Sequence, residues 1–241
     1  MSSFGDRMKE YEYVERKYLT KRVPVIIRID GKAFHTYTRG MDNPFDSNFH
    51  NTMIHTARYL CENIQGCMLA YTQSDEISLL LTDYKTIKTE PWFDYNVQKL
   101  TSVSASLATA RFNSIIPVEN NGLAMFDSRV FNLPKDEVCN YFLWRQRDAE
   151  RNSIQSLGQE YFSHKQLQGK SNSDVQDMLM LEMDVNWNEL RTWKKRGSCV
   201  VKVERTINED RIRTTWVEDI ETPIFSKDRD YINEYVFIRE D

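Results

Sequence analysis

The chain has 241 residues, 40% of them hydrophobic and 28% charged, which is typical of a folded chain and excludes a disordered one. The formal net charge of −4 does not indicate a nucleic-acid-binding protein, so any such surface has to be local. Four cysteines without a CxxC pair argue against a zinc site or a disulfide framework, and no apolar run is long enough to span a membrane. We therefore expect a cytoplasmic protein with no membrane partner.

The predicted elements of the N-terminal half follow one another in the order of a helix and then βαββαβ. They are a helix over 6–18, a strand that starts at 23, a helix over 46–63, a hairpin over 66–81, a helix over 92–115 and a strand over 122–133. The first strand is a run of β-branched apolar residues, which indicates burial on both faces. The order predicts an α+β, ferredoxin-like fold, with one antiparallel sheet and helices on one face. We expect the first helix to pack on this body.

The residues after 135 predict a second lobe of helices and one β-hairpin. The predicted elements are helices over 134–162, 173–183, 187–193 and 228–235, a loop over 164–173, and strands over 197–207 and 211–217 around a turn at 208–210. The loop contains Gly169-Lys170-Ser171, but the upstream glycine and the preceding strand of a P-loop are missing, so we reject a phosphate cradle there. We divide the chain into a core unit over 1–135 and a lobe over 136–241 that packs on it.

Acidic residues end the first strand and the predicted hairpin turn. The first strand runs into Asp30-Gly31, and turn formers over 72–76 place Asp75-Glu76 at or just past the tip of the hairpin. In the predicted fold this strand and hairpin lie side by side, so the carboxylates are expected at one end of the sheet. Paired carboxylates can hold two Mg²⁺ ions for phosphoryl or nucleotidyl transfer. Each motif alone also fits an ordinary turn or polar loop.

Two stretches carry a family resemblance. Arg-Ile-Asp-Gly-Lys-Ala-Phe-His at 28–35 and Gln-Ser-Asp-Glu-Ile-Ser at 73–78 resemble the tRNA-His guanylyltransferase superfamily. Pro44-Phe45-Asp46, Lys99 and Lys195-Arg196-Gly197 are similar to that family as well. The resemblance implies a polymerase-type palm in the core unit. It also implies a nucleotidyltransferase that adds nucleotides to the 5′ end of tRNA in the 3′-to-5′ direction.

The stretch over 144–153 departs from the eukaryotic members of the superfamily, which carry a His-Ile-Asn-Asn type motif there. The chain resembles the shorter bacterial, archaeal and viral branch, and this implies template-dependent repair of 5′-truncated tRNA. Asn43 and Asn96 replace a lysine and an arginine that relatives carry. Those two replacements put specific phosphate contacts in doubt, and Arg39 or Lys32 could compensate.

The resemblance also assigns residues to roles. Mg²⁺, as two ions, is expected on Asp30, Asp75 and the Gly31 carbonyl, with Asp30, Asp75 and Glu76 as the catalytic residues. ATP activates a 5′-monophosphate end, ATP and GTP are substrates, and the 3′-hydroxyl of the incoming nucleotide attacks the activated phosphate. The partners are the 5′ end and acceptor stem of tRNA, and the assembly is a homotetramer. The nucleotide-binding residues implied are Lys32, Ala33, Phe34, His35, Asp46 and Ser74, and the RNA-binding residues are Lys99, Arg151, Asn152, Lys195 and Arg196.

Three other functions remain open from the sequence. A nucleotide cyclase would use the same palm carboxylates, but it gives no reason for the large lobe after 135. A non-catalytic RNA-binding protein is possible if the acidic residues are only turn residues. A scaffold protein is the weakest alternative, because two acidic clusters on adjacent strand ends have no packing role.

Overall fold

A computed structural model describes residues 3–116, 122–208 and 211–238. Glu209 and Asp210 of the predicted hairpin turn lie outside the described residues. The helices are α1 (Phe4–Tyr13), α2 (Phe34–Tyr37), α3 (Ser47–Asn63), α4 (Val97–Ile115), α5 (Lys135–Tyr161), α6 (His164–Leu167), α7 (Asn172–Met183), α8 (Thr192–Arg196) and α9 (Asp230–Asn233). The strands are β1 (Val25–Gly31), β2 (Cys67–Gln73), β3 (Glu76–Leu81), β4 (Phe126–Asn132), β5 (Ser198–Asn208) and β6 (Arg211–Asp219).

All six strands form one antiparallel sheet in the order β4-β1-β3-β2-β5-β6. Its first four positions, β4-β1-β3-β2, are the ferredoxin-like order, so the predicted α+β palm is confirmed. The β5–β6 hairpin lengthens this sheet because β5 pairs with β2, with Leu69 opposite Val201. The sheet thus runs across residue 135, and the division of the chain into two units at that point stays a prediction.

Helices cover both faces of the sheet. On one face, Val25, Ile27 and Ile29 of β1 are fully buried in a core that includes residues of α3 and α4. On the other face, Ile26 is buried in a second core with Phe142 of α5. Successive strand residues point to opposite faces, so a strand between two helical layers has to be apolar throughout. This explains the β-branched run and confirms its predicted burial on both faces.

The structure differs from the predicted elements at several places, among them the predicted helix over 187–193, which is a 3₁₀ turn at Trp187–Glu189 followed by the separate short helix α8. Helix α1 ends at Tyr13 and none of its residues is buried, so its predicted packing on the body is wrong. The predicted helix over 92–115 is interrupted, because Phe93 and Asp94 have positive φ angles of 50° and 56°. Asn96 then caps α4 by accepting a hydrogen bond from the Lys99 backbone N–H at 3.0 Å. The predicted loop after 163 contains the short helix α6, which begins with a capping box at Ser163.

No helix in the described part of the chain is long and apolar enough to cross a membrane.

Candidate active site

The end of β1 and the tip of the β2–β3 hairpin meet at one end of the sheet. Asp30 lies opposite Glu76 of β3 on one side and Asp127 of β4 on the other. The Gly31 N–H donates a hydrogen bond to the Asp75 carbonyl at 3.1 Å, which joins the strand end to the hairpin tip. The structure therefore brings Asp30, Gly31 and Asp75 together, as the topology predicts.

Gly31 has a steric reason to lack a side chain. A Cβ atom at this position would collide with the ring of Phe34. That ring is held among Tyr37, Phe49, Phe112 and Phe126, with ring centroids 5.0–5.9 Å away. The aromatic cluster therefore fixes the turn that follows Asp30, and only glycine fits the strand end beside it.

Asp75 is a carboxylate in an unfavourable environment. It occupies the two-residue turn Ser74-Asp75, in which Ser74 has a φ of 49°. Burial raises the pKa of Asp75 to about 6, and the negative charge of Asp30 adds to the increase. Two neighbouring carboxylates that repel each other attract a cation. We call Asp30 and Asp75 the acid pair.

The donor set at the acid pair fits Mg²⁺. The two carboxylates and the Gly31 carbonyl are hard oxygen donors, which Mg²⁺ prefers, and Mg²⁺ keeps several waters as further ligands. Among residues 3–116, 122–208 and 211–238 there is no group of three or more His, Cys, Asp and Glu side chains arranged around a metal position. Any metal at this end of the sheet therefore relies on the acid pair and backbone oxygen.

Glu76 has different surroundings from Asp75, although the two are adjacent in sequence. Its buried carboxylate accepts hydrogen bonds from Arg145 Nε at 2.7 Å and from the Arg145 Nη2 atom at 2.8 Å. It also forms an ion pair with Arg28 at 2.6 Å. Arg145 Nη2 also donates a hydrogen bond to Asp148 Oδ2 at 2.8 Å. Glu76 thus ties β3 to β1 and α5, and its catalytic role stays a prediction.

A cleft of about 430 Å³ opens at the acid pair. Its walls include Ala33, Phe34, His35 and Ser74, four of the residues predicted to bind nucleotide. A second cavity of about 130 Å³ shares Phe49 and Ser74 with the cleft. The two cavities lie next to each other, and together we call them the recess. The second cavity is also lined by Asp46, Asn152 and Lys195, which the sequence assigned to nucleotide or RNA.

The Asp46 side chain and the Lys32 backbone N–H form hydrogen bonds within the protein. The Asp46 side chain caps α3 by accepting a hydrogen bond from the Phe49 N–H at 2.8 Å. The Lys32 backbone N–H donates to the Met125 carbonyl at 2.8 Å, and Lys32 is not among the residues that line the cleft. Asp46 is therefore placed at the cavity by its role as a helix cap.

The remaining predicted RNA-binding residues are spread over the surface. Arg151 is exposed and pairs with Asp148, and Arg196 Nε donates to the Thr222 carbonyl at 2.9 Å. Lys99 lies in the first turn of α4, with its amine 5.4 Å from the centre of the Phe93 ring. About 20 Å of helix separates Lys99 from Phe112, the residue of α4 that contacts the aromatic cluster behind Gly31. The structure thus does not bring Lys99 to the acid pair within one chain.

Several residues around the site were not found from the sequence. Arg129 of β4 lies 3.7 Å from the Asp30 carboxylate, on the strand that flanks β1. In the second cavity, His50 stacks on Trp193 with ring centres 4.1 Å apart, and burial lowers the pKa of His50 to about 4. The predicted fourth strand of the βαββαβ order neighbours the first, so the position of Arg129 near Asp30 could have been predicted from the sequence. The stacked pair joins positions far apart in sequence, and no local signal indicates it.

The sheet order and the acid pair define the class of protein. A ferredoxin-like sheet with paired carboxylates at the end of β1 and at the adjacent hairpin tip is the palm arrangement of nucleotidyl-transferring enzymes.

Comparison with known proteins then gives the family. The family model described as tRNAHis guanylyltransferase matches residues 5–134, so the chain belongs to this family of nucleotidyltransferases. A bacterial tRNA(His) guanylyltransferase (Thg1)-like protein in complex with ATP is 48% identical with a TM-score of 0.91, and the match covers 98% of this chain and 100% of that one. The complex of such a protein with GTP gives 47% identity, a TM-score of 0.86 and the same coverage. The tRNA(His) guanylyltransferase of Debaryomyces hansenii is 27% identical over 80% of both chains.

Proposed function

We propose that this enzyme adds nucleotides to the 5′ end of tRNA in the 3′-to-5′ direction, as template-dependent repair of 5′-truncated tRNA. ATP activates a 5′-monophosphate end, and the 3′-hydroxyl of an incoming nucleotide then displaces the activating group. The observation that carries the proposal is the acid pair at the mouth of a recess beside β1 and the hairpin. Both steps are in-line displacements at phosphorus, for which catalysis is mainly positioning and charge stabilisation.

Two Mg²⁺ ions are proposed at the acid pair, held by Asp30, Asp75 and the Gly31 carbonyl. When bound, they supply charge neutralisation and alignment for the displacement. The protein holds these ligands in place through the Gly31–Asp75 hydrogen bond and the aromatic cluster behind Gly31. The raised pKa of Asp75 supports this assignment, because a cation stabilises the charge of a carboxylate that is buried and also lies near Asp30.

ATP and GTP are proposed to bind in the recess. The support is twofold: similar bacterial structures are complexes with ATP or GTP, and the recess touches the acid pair here. The walls offer aromatic rings for a base and Lys195 for phosphates. His50 is uncharged at neutral pH, since its pKa lies near 4, so it contributes a ring rather than a cation.

The tRNA 5′ end and acceptor stem are proposed to reach the site from the side of α5 and α8. Asn152 and Lys195 lie in the wall of the recess, and Arg151 is exposed one position before Asn152. Lys99 is proposed to contact RNA away from the acid pair of its own chain. We infer a homotetramer from the family resemblance, since one chain of net charge −4 offers little basic surface to a tRNA.

The cellular location is proposed to be cytoplasmic. All four cysteines are free and buried, which suits a reducing compartment. The core unit over 1–135 and the lobe over 136–241 are proposed to act as one body, because the lobe contributes β5 and β6 to the palm sheet.

The test is incubation of the protein with a 5′-truncated tRNA, ATP, labelled nucleotides and Mg²⁺, followed by sizing of the RNA. We expect products one or more nucleotides longer at the 5′ end, and no extension with Asp30→Ala. Mismatched template positions in the acceptor stem should reduce addition. A cyclic nucleotide formed from ATP or GTP alone, with no extended RNA, would overturn the proposal in favour of a cyclase. Light scattering of the active enzyme tests the tetramer.

A further inference from the structure

Trp144 is a large apolar side chain that the fold leaves in contact with solvent. It lies on α5, and 53% of its surface is exposed. Two guanidinium groups lie against its ring, with Cζ atoms 4.4 Å from the ring centre for Arg145 and 5.9 Å for Arg28. The edge of Tyr141 contacts the same ring, with ring centres 6.0 Å apart. The indole is therefore supported by fixed neighbours and still has open surface.

The support under Trp144 is rigid because its two arginines are held by one buried carboxylate. Glu76 accepts two hydrogen bonds from Arg145 and forms the ion pair with Arg28. Tyr141 is held in turn by a hydrogen bond of 2.8 Å to Ser78. A flat ring on an immobile base loses little conformational entropy when a second ring stacks on it.

Trp144 lies on the same face of the sheet as Asp30 and is linked to it through Arg28. Arg28, which touches its ring, is two residues before Asp30 on β1, so both side chains point to the same face about 7 Å apart. Arg129 of the neighbouring strand is directly opposite Arg28 and approaches Asp30 at 3.7 Å. The surface around Trp144 thus combines an exposed aromatic ring with arginines, on the face of the sheet that carries Asp30.

We propose that Trp144 is a stacking platform for a nucleobase at the 5′ end of the RNA. The inference rests on the proposed function and adds a binding site to it. A nucleotide whose 5′ phosphate lies at the acid pair carries its base beside this surface. Exposed aromatic rings next to arginines bind single-stranded ends by stacking, and they tolerate any base because every base has a flat face. A platform without sequence preference suits an enzyme that has to accept every truncated end.

The base of a free nucleotide has the same chemistry, so the experiment has two arms. One arm measures binding of a 5′-truncated tRNA with 2-aminopurine as its first nucleotide, through anisotropy and through quenching of the 2-aminopurine fluorescence. The other measures ATP binding by calorimetry. The variants are Trp144→Leu, Trp144→Phe and a control, Tyr161→Leu. Tyr161 is 44% exposed on the same helix, about five turns further along.

We expect Trp144→Leu to weaken tRNA binding about tenfold and to abolish the quenching caused by the protein, with ATP binding unchanged. Trp144→Phe keeps a ring and should retain the quenching and bind within about threefold of wild type, even if Trp144→Leu lowers thermal stability. Tyr161→Leu should change neither.

Two results would overturn the platform: wild-type binding and quenching in Trp144→Leu, or an equal loss of ATP binding, which would assign the ring to the free nucleotide. Neither measurement requires turnover. A wild-type enzyme that binds and quenches the labelled tRNA but never extends it would instead refute the proposed function alone.

Discussion

The charge of Asp75 should lower the stability of the metal-free protein as pH rises. Its pKa in the folded protein is about 6, compared with an ordinary value of 3.8. The folded state therefore holds a proton at this carboxyl over a pH range in which the unfolded state has already released it. The free energy of unfolding consequently falls as pH rises from about 4 to about 6, and the loss is complete above about pH 6. Asp75→Asn should remove this dependence, because the amide does not titrate.

The size of the effect follows from the difference between the pKa of Asp75 in the folded protein and its ordinary value. A difference of about two pKa units, at 1.36 kcal/mol for each unit, gives at most about 3 kcal/mol at neutral pH. For a chain of this length, that corresponds to an increase in Tm of roughly 6–10 °C for Asp75→Asn over wild type at pH 7.5. At pH 4 the two proteins should unfold at nearly the same temperature.

The assays are urea unfolding, for the free energy, and thermal unfolding, for Tm, both followed by circular dichroism with EDTA present, from pH 4 to 7.5. Asp177→Asn provides the matched control, since Asp177 is exposed on α7, and its pH profile should follow wild type. Replacing EDTA with Mg²⁺ should stabilise wild type at pH 7.5 and have much less effect on Asp75→Asn. If the free energies of unfolding of wild type and Asp75→Asn change with pH in parallel in EDTA, the acid pair is not a strained site and the reasoning fails.

Three further predictions test the site and its supports. Asp30→Ala should abolish 5′ nucleotide addition with an unchanged far-UV spectrum; activity near wild type would remove the metal assignment. Arg145→Met should lower the free energy of unfolding by about 3 kcal/mol, because it removes the main partner of the buried Glu76 carboxylate. Arg58→Met, at the exposed pair with Glu62, should lower it by less than about 1 kcal/mol, and equal losses in the two variants would contradict this reasoning. Gly31→Ala should impair nucleotide addition far more than Gly5→Ala, where a Cβ would meet only the Ser3 hydroxyl at an ordinary 3.8 Å; similar activities would refute the steric argument.

The sheet and the meeting of Asp30 with Asp75 could be predicted because both follow from local pattern and topology. The run before Asp30 is apolar at every position, which indicates a strand between two layers, and the βαββαβ order places that strand beside the hairpin. The roles of the individual residues at the site stay predictions.

The contacts of Glu76 could not be predicted in the same way. Strand alternation indicates that it points to the face opposite Ile77, but its partner Arg145 is on a helix far along the chain. Such pairings depend on how α5 crosses the sheet, and no sequence period encodes that crossing. The left-handed residues before Asn96 are a second example, because Phe93 and Tyr95 are residue types that rarely adopt positive φ.

Asp75 and Glu76 show how one hairpin tip can be both fixed and reactive. Glu76 has its charge balanced by Arg28 and Arg145, and removing either arginine would leave a buried charge that the fold tolerates poorly. Asp75 has the opposite situation: it is largely shielded from water and lies next to Asp30 with no such cation. If both carboxylates were balanced by arginines, the tip would be stable but would have no affinity for a metal ion. If neither were balanced, repulsion would displace the tip. The division of roles between neighbouring residues therefore keeps Asp75 in position while leaving its charge available to a cation.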